Sequence, residues 1–508
     1  MISAIIHALR EFLGGDGALI LPQMELMLFA LGILLIDFWV EARVKYLNAV
    51  LALLGTFFSA YTLWVLRVRL QLQAQSHPEM PDLAGFHNTL LVDPFFLFFA
   101  AIFLAATALV ALLSVRYLEI EGEHHGEYYA LILFACVGMM FMASGTDLIV
   151  LFLGLETMAI SFYVLTGFLR RERRSNEAAL KYVLLGAFSS GILAYGFSLL
   201  YGMSGSTYIG QIGQMLARRA MLTQTGGMTD WFTIVAFVTV ATGLFFKIGA
   251  VPFHQWAPDV YEGAPTPITS YVSVASMTAS FALVLRLFIA VFGATHQSWM
   301  YLVAGVAVAS LTWGNFAAIT QTNVKRLLAY SSIAHVGYIL LGLVGANRTG
   351  FLGIAYYLFV YAFMTTGAFA VVIVLRRKGL IGDELDDLNG LYQRSPAGAV
   401  LLLIFMLSLA GIPPTAGFLG KYYILQSLIE TNHPVLAVIA ALYIVPALYY
   451  YFRVVVHAWL KQPGDAPHPV ISAAQAVVLT VTVFVSLAAG VYPEPFAQLA
   501  RYAFGLGQ

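Results

Sequence analysis

The stretch Phe245-Phe246-Lys247-Ile248-Gly249-Ala250-Val251-Pro252-Phe253-His254 lies within an apolar run, 231–262, that is longer than one membrane crossing requires. A spanning helix needs about 20 mostly apolar residues. Pro252 has no N–H, and its ring crowds the carbonyl four residues back. A break is expected there, with the carbonyl of residue 248 left free beside Lys247. A second interruption, Gly411-Ile412-Pro413-Pro414-Thr415-Ala416-Gly417-Phe418-Leu419-Gly420-Lys421, divides the run 397–430. Its two prolines are expected to free the carbonyls of residues 409 and 410. Irregular backbone at membrane depth survives only where it lines a polar cavity or is buried in protein. Paired Gly/Pro-interrupted spans in the two halves of a chain point to a transport site. Pro252 and Pro413 stand 161 positions apart, which fits two repeats of about five spans each. Harmless proline kinks are the plainer alternative, but each break sits beside a lysine.

Working outward, the runs 18–39, 46–66, 92–115, 127–145, 147–168, 177–201, 231–262, 266–293, 298–319, 325–346, 350–375, 397–430, 434–459 and 470–491 read as fourteen helical spans. They are too long and continuous for barrel strands, which alternate over about ten residues. The fold class is therefore an all-α polytopic membrane protein. Composition agrees: of 508 residues, 60% are hydrophobic and only 10% charged, against about 25% charged in an ordinary soluble chain. A soluble enzyme, a disordered chain and a nucleic-acid-binding protein are excluded. The single cysteine, Cys136, cannot form an intrachain disulfide, nor hold a Cys-rich zinc site or an iron–sulfur cluster alone. Neither a Walker A motif nor a Gly-x-Gly-x-x-Gly turn is present, so no redox or nucleotide cofactor is expected in this chain. Glu11 and Asp16 precede the first apolar run, and no small-residue cleavage site follows it, so a cleaved signal peptide is not expected.

Loop charges set the orientation. With the N-terminus outside, fourteen of the 26 Lys and Arg residues fall in inner loops, among them Arg43, Arg170, Arg171, Arg173, Arg174, Lys325, Arg326 and Lys378. Seven fall outside, Arg10 among them, and five within spans. Both termini are expected on the outer side of the membrane.

The charges inside spans carry the functional argument. A charge at a helix centre costs about 2.5–3.5 kcal/mol on insertion scales and persists where it is paired or used. Glu156 lies nine residues into its span, about 14 Å deep. Lys247 stands at matched depth, and the two suggest an ion pair whose opening or closing decides where a proton resides. A static salt bridge is the bland reading, although a bridge buried at such cost is weak evidence for stability. Lys421 has no carboxylate at its depth; Glu430 lies near the outer end. Lys181 opens the sixth span with Glu177 four residues before it, a good local pair. His335, mid-span, is the side chain that exchanges protons most readily near neutrality, with Ser331, Ser332 and Tyr338 close in sequence. His254 reads similarly. Arg286 is read as an anchor for a carboxylate, and Asp37 and Glu25 as facing headgroups.

The segments Gly167–Tyr182, Leu185–Gly191, Phe253–Pro267 and Gly411–Lys421 resemble the antiporter-like membrane subunits of respiratory complex I (NADH-quinone oxidoreductase), and within them the N-type subunits. That family shares ancestry with multisubunit cation/proton antiporters. The resemblance covers essentially the whole chain. It implies three N-terminal helices (1–126), a first five-helix repeat (127–293), a second, inverted repeat (294–461) and a terminal helix (462–508), with helices 7 and 12 discontinuous. It also implies proton translocation driven by quinone reduction elsewhere in the complex. Glu156, Lys247, Lys421 and Lys181 fall on the family's proton-transfer positions. Quinone and NADH are then bound by other subunits, and the partners are the other membrane subunits of the complex, the lipid bilayer and protons. One position departs from the pattern. In Ser273–Arg286, Met277 stands where the family carries a lysine, and it cannot hold a proton. Water held by Ser276, Thr278 and Ser280, together with His335, is the expected substitute. A subunit of a stand-alone cation/proton antiporter and a non-pumping structural subunit are the alternatives.

Overall fold

The computed structural model describes residues 12, 14–41, 44–77, 82–123, 125–222, 231–377, 382–463 and 468–505. Arg10, Glu11, Arg43 and Lys378, used in the charge argument above, lie outside the described residues. Among the described residues, thirteen helices are long and apolar enough to cross a membrane, and Pro396–Ala410 adds a shorter one. Every expected span is matched by a helix. Several run past their apolar stretch: span 2 is Leu47–Ser76, span 3 is Pro94–Glu121 and span 6 is Arg173–Ser204. Three features were not expected. A short antiparallel hairpin pairs Leu83–Gly85 with Leu90–Val92. Two amphipathic helices, Ile209–Leu222 and Glu494–Ala503, lie outside the spans.

Burial orders the bundle. Span 8 (Thr266–Ala290), span 10 (Val324–Gly345) and span 11 (Arg348–Leu375) have 89–94% of their apolar window buried, and form its centre. Span 1 (Leu21–Asp37), span 13 (Pro434–Trp459) and span 14 (Ala473–Val491) have only 28–33% of their apolar window buried and present apolar faces outward. Small residues let helices approach closely where no hydrophobic force drives them together. A Cβ at Gly314 of span 9 (His296–Ile319) would lie 2.6 Å from the Ala334 backbone nitrogen of span 10, and one at Gly337 would lie 2.7 Å from the Ala307 carbonyl. Polar side chains cap the helix starts: Asp93 accepts from Phe96 N at 2.7 Å, and Asn323 from Lys325 N and Arg326 N at 3.0 and 3.1 Å.

Both breaks form, but by a different device from the one expected. Span 7a (Trp231–Ile248) ends on Gly249 at φ 71°, and Ala250 N donates to Phe245 O at 2.8 Å. Span 12a (Pro396–Ala410) ends on Gly411 at φ 83°, with Ile412 N donating to Leu407 O at 3.1 Å. These are left-handed glycine caps, where a residue without Cβ turns the chain and satisfies carbonyls of the last turn. The prolines follow in the connecting loops. The glycines also fix the register between the two breaks: Gly249 and Pro252 match Gly411 and Pro414, so Pro414, rather than Pro413, is the counterpart of Pro252. Spans 7b (Trp256–Gly263) and 12b (Ala416–Glu430) resume beyond the loops.

Several charges take other places than the sequence suggested. Lys325 is not a loop charge. It is 4% exposed, and its ammonium donates to Glu262 O at 2.6 Å and Ala264 O at 2.8 Å, at the end of span 7b. Glu25 accepts from Thr62 at 2.8 Å, and Asp37 from Asn48 at 2.5 Å, so both tie spans 1 and 2 together rather than facing headgroups. Arg286 is the expected anchor. It grips Asp93 with two bonds of 2.7 and 2.8 Å, donates to Ala143 O and lies 4.5 Å from the Phe95 ring centroid. Removing one partner of a buried pair leaves the other charge uncompensated, at a cost of about 3–5 kcal/mol. Arg286→Met is therefore expected to lower the midpoint of thermal denaturation of the purified protein clearly, and Asp93→Asn with Arg286→Met should recover part of the loss.

Candidate functional site

Lys247 occupies the last turn of span 7a, where the negative end of the helix dipole favours a cation. It is 7% exposed. Its Nζ lies 3.5 Å from the Tyr163 hydroxyl and 5.9 Å from that ring's centroid. Tyr163 belongs to span 5 (Leu148–Thr166) and reaches Lys247 past Gly186 of span 6. A Cβ at Gly186 would lie 2.1 Å from the phenol oxygen. The expected ion pair with Glu156 is not closed: Glu156 Oε1 is buried without a hydrogen-bond partner among the described residues, and Lys247 meets the phenol instead. Glu156 and Tyr163 stand seven positions apart, on one face of span 5, and the phenol is the group of that face that the ammonium contacts.

Near the start of span 6, Lys181 bonds Glu177 at 2.8 Å and Asp259 of span 7b at 2.7 Å. Asp259 also takes Arg326 at 2.8 Å, and Glu262 takes Arg326 at 2.9 Å and Arg174 at 3.5 Å. These groups line a polar cavity of about 220 Å³. Lys181 is therefore more than half of a local helix pair: it also ties span 6 to the second half of a broken span.

At the centre, span 8 relaxes into a π-turn at Val272–Ser276, immediately before Met277. Such turns inside α-helices are frequent at functional sites. Met277, 4% exposed, accepts a weak bond from the Ser332 hydroxyl at 3.5 Å. Ser332 stands in a ring of hydroxyls: Tyr361 lies 3.1 Å away and Tyr261 3.5 Å, and Tyr361 also meets Ser273 at 3.1 Å. Of the set expected to hold water, Thr278 donates back to Val274 O at 2.7 Å, and the buried Ser280 hydroxyl has no hydrogen-bond partner among the described residues. His335, 3% exposed, meets Tyr357 through Nδ1 at 2.6 Å and Tyr451 through Nε2 at 3.0 Å. Tyr451 in turn contacts Ser331. Tyr338 points away and donates to Ala440 O at 2.9 Å. A neutral imidazole donates through one nitrogen and accepts through the other, while a phenol does either. Both tautomers of His335 are thus satisfied by the same two phenols, and a proton passing along the chain leaves the ring in the alternative tautomer.

Lys421 in span 12b is 3% exposed and has no carboxylate partner among the described residues. Its Nζ donates back across the break to Leu409 O at 3.2 Å and Ala410 O at 2.8 Å. These are the two carbonyls the sequence marked as free. The ammonium also lies 4.9 Å from the Tyr338 ring centroid, a cation–π contact. Gly411 makes room for it, since a Cβ there would lie 2.9 Å from Lys421 Cδ. His254 lies beside Trp313, and its Nδ1 has no hydrogen-bond partner among the described residues.

Sequence reasoning missed Tyr163, Asp259, Tyr357, Tyr361 and Tyr451. One signal was available: tyrosine ordinarily gathers at the membrane interfaces, whereas Tyr357, Tyr361 and Tyr451 stand well inside apolar runs, and Tyr357 and Tyr361 share one helix face by their spacing.

The family model described as NADH:quinone oxidoreductase/Mrp antiporter, TM matches residues 145–445. The chain is 52% identical over 485 residues to an NADH-quinone oxidoreductase subunit N 2 of Solibacter usitatus, covering 95% of this chain and 96% of the relative. It is 51% identical to a subunit N 1 of Koribacter versatilis, over 97% and 96% of the two chains. Among solved structures, a chain of respiratory complex I from Thermus thermophilus with bound aureothin superposes with a TM-score of 0.77 at 28% identity, covering 94% of this chain and 98% of that one.

Proposed function

The chain belongs to the NADH:quinone oxidoreductase/Mrp antiporter membrane-subunit family, and from that premise we propose that it is the proton-translocating N-type subunit of an NADH-quinone oxidoreductase. The single observation that carries the reading is a series of buried proton-exchanging groups along the bundle interior: Lys247 with Tyr163, His335 between two phenols, and Lys421 on the carbonyls of a broken span. Water-free apolar surroundings make a buried charge costly unless it is compensated. A proton arriving at one end of such a series therefore displaces the next rather than accumulating.

In this reading Lys181 and the carboxylates of span 7b receive the proton from the side rich in basic loops, the inner side of a bacterial plasma membrane. Both termini face outward. Lys247 takes the proton next, with Glu156 as the counter-charge that approaches when the pair closes. The hydroxyl ring around Ser332 bridges the place where Met277 stands. His335 relays the proton to the region of Lys421, from which it is released. The oxidation of NADH and reduction of quinone belong to other subunits of the complex; Cys136 alone is too little to hold an iron–sulfur cluster. Lys247→Ala tests the assignment. Proton uptake into inverted vesicles should fall to background, with NADH:quinone turnover reduced in parallel, while the complex still assembles. Normal pumping in that variant would overturn the role of Lys247 and favour a structural subunit.

A further inference from the structure

A cavity of about 620 Å³ opens between spans 2, 3 and 11 beneath the C-terminal helix Glu494–Ala503. Its wall is apolar, with Leu53, Ala101, Ala105, Phe359 and Phe363 among the lining residues. Arg67 and Tyr502 line it as well, the guanidinium standing 5.6 Å from the Tyr502 ring centroid. Arg67 is exposed and makes no ion pair among the described residues. Its depth follows from its own helix. Span 2 is apolar from Leu47 to Leu66, and Arg67 and Arg69 follow. Tyr61 and Trp64, exposed and with ring centroids 6.1 Å apart, stand just before them. Tyrosine and tryptophan gather at the level of the lipid headgroups, so Arg67 lies at that level.

From Leu53 to Arg67 the groove follows the helix for about 21 Å at 1.5 Å per residue. That exceeds the roughly 15 Å of hydrocarbon in one leaflet, which is the room a lipid tail takes when held straight rather than disordered. An apolar slot of one tail's length, with an unpaired guanidinium at its headgroup end, has the chemistry of a lipid phosphate site.

We propose that this groove holds one anionic phospholipid, its phosphate on Arg67 and one acyl chain running toward Leu53. The tail then packs against Phe359 and Phe363 of span 11, which also carries Tyr357 and Tyr361 of the buried series. Filling the groove braces that span from behind.

The test uses the assembled complex in vesicles containing phosphatidylglycerol with a photoactivatable group midway along one acyl chain, and in parallel the same tail on phosphatidylcholine. Photolabelling of the segment containing Ala101 and Ala105 should favour phosphatidylglycerol by about fivefold, the factor that about 1 kcal/mol for one basic side chain at the surface represents. Arg67→Gln should abolish that preference, Arg67→Lys should keep most of it, and Ala101→Phe should remove the labelling with both lipids. Equal labelling by both lipids in the unaltered protein, unchanged by Arg67→Gln, would mean only annular lipid and would overturn the proposal. So would cross-linking of a photoreactive residue at position 101 to a neighbouring polypeptide.

Discussion

His335→Gln is expected to abolish proton translocation while leaving the complex assembled. Glutamine approximates the imidazole's volume and both donates and accepts hydrogen bonds, so the contacts to Tyr357 and Tyr451 have a substitute. What it removes is the exchange of a proton between two nitrogens. A positioned acid–base group commonly contributes a factor of about 10²–10⁴, so proton uptake should drop by at least about 10²-fold. Turnover measured with an uncoupler present is the control that separates loss of the relay from loss of assembly. His335→Leu should lose pumping as well, and in addition leave two buried phenols without a partner. Because Met277 cannot take part, His335 supplies the proton exchange that a lysine at position 277 would otherwise provide. Full pumping in His335→Gln would place the path elsewhere, through water alone.

The second large effect is expected at Lys421, where two substitutions separate charge from exchange. Lys421→Met strips the donor from the carbonyls of Leu409 and Ala410, which are buried at the end of span 12a. Each unsatisfied buried polar group costs about 1–3 kcal/mol, so this variant should both stop pumping and lower the thermal denaturation midpoint. Lys421→Arg keeps a cation at the same carbonyls, and a guanidinium does not give up its proton. It should retain most of the thermal stability and still fail to pump. Recovery of pumping in Lys421→Arg would make the residue a helix cap and nothing more. Measuring both variants in proteoliposomes, alongside denaturation scans of the same preparations, distinguishes the two roles.

The spans were legible because twenty apolar residues have few other fates, and the two breaks because Gly and Pro carry fixed backbone consequences. The lysines were legible because a charge in hydrocarbon must be compensated or used. Even the free carbonyls of residues 409 and 410 could be read from the paired prolines, and Lys421 found them. What bonds to what was not legible. Lys325 reads as a loop charge in one dimension, yet it folds under the end of span 7b to satisfy two carbonyls. Glu156 and Lys247 suggest a pair by depth, but Tyr163 projects from the same face of span 5 two turns on, and its phenol, threaded past Gly186, is the group the lysine meets.

Apolar runs, the Gly and Pro positions and the charges set within those runs were enough to establish that the chain crosses the membrane many times, where two crossings break, and which family it belongs to. Those properties rest on local chemistry: hydropathy, backbone freedom and the cost of desolvating a charge. The bonding partners come from the packed bundle alone: Asp259 for Lys181, backbone carbonyls for Lys421, and Tyr357 and Tyr451 for His335. These contacts join residues 11 to 116 positions apart. They depend on how helices rotate and slide against one another, which close glycine contacts and buried hydrogen bonds fix only once the whole bundle is packed.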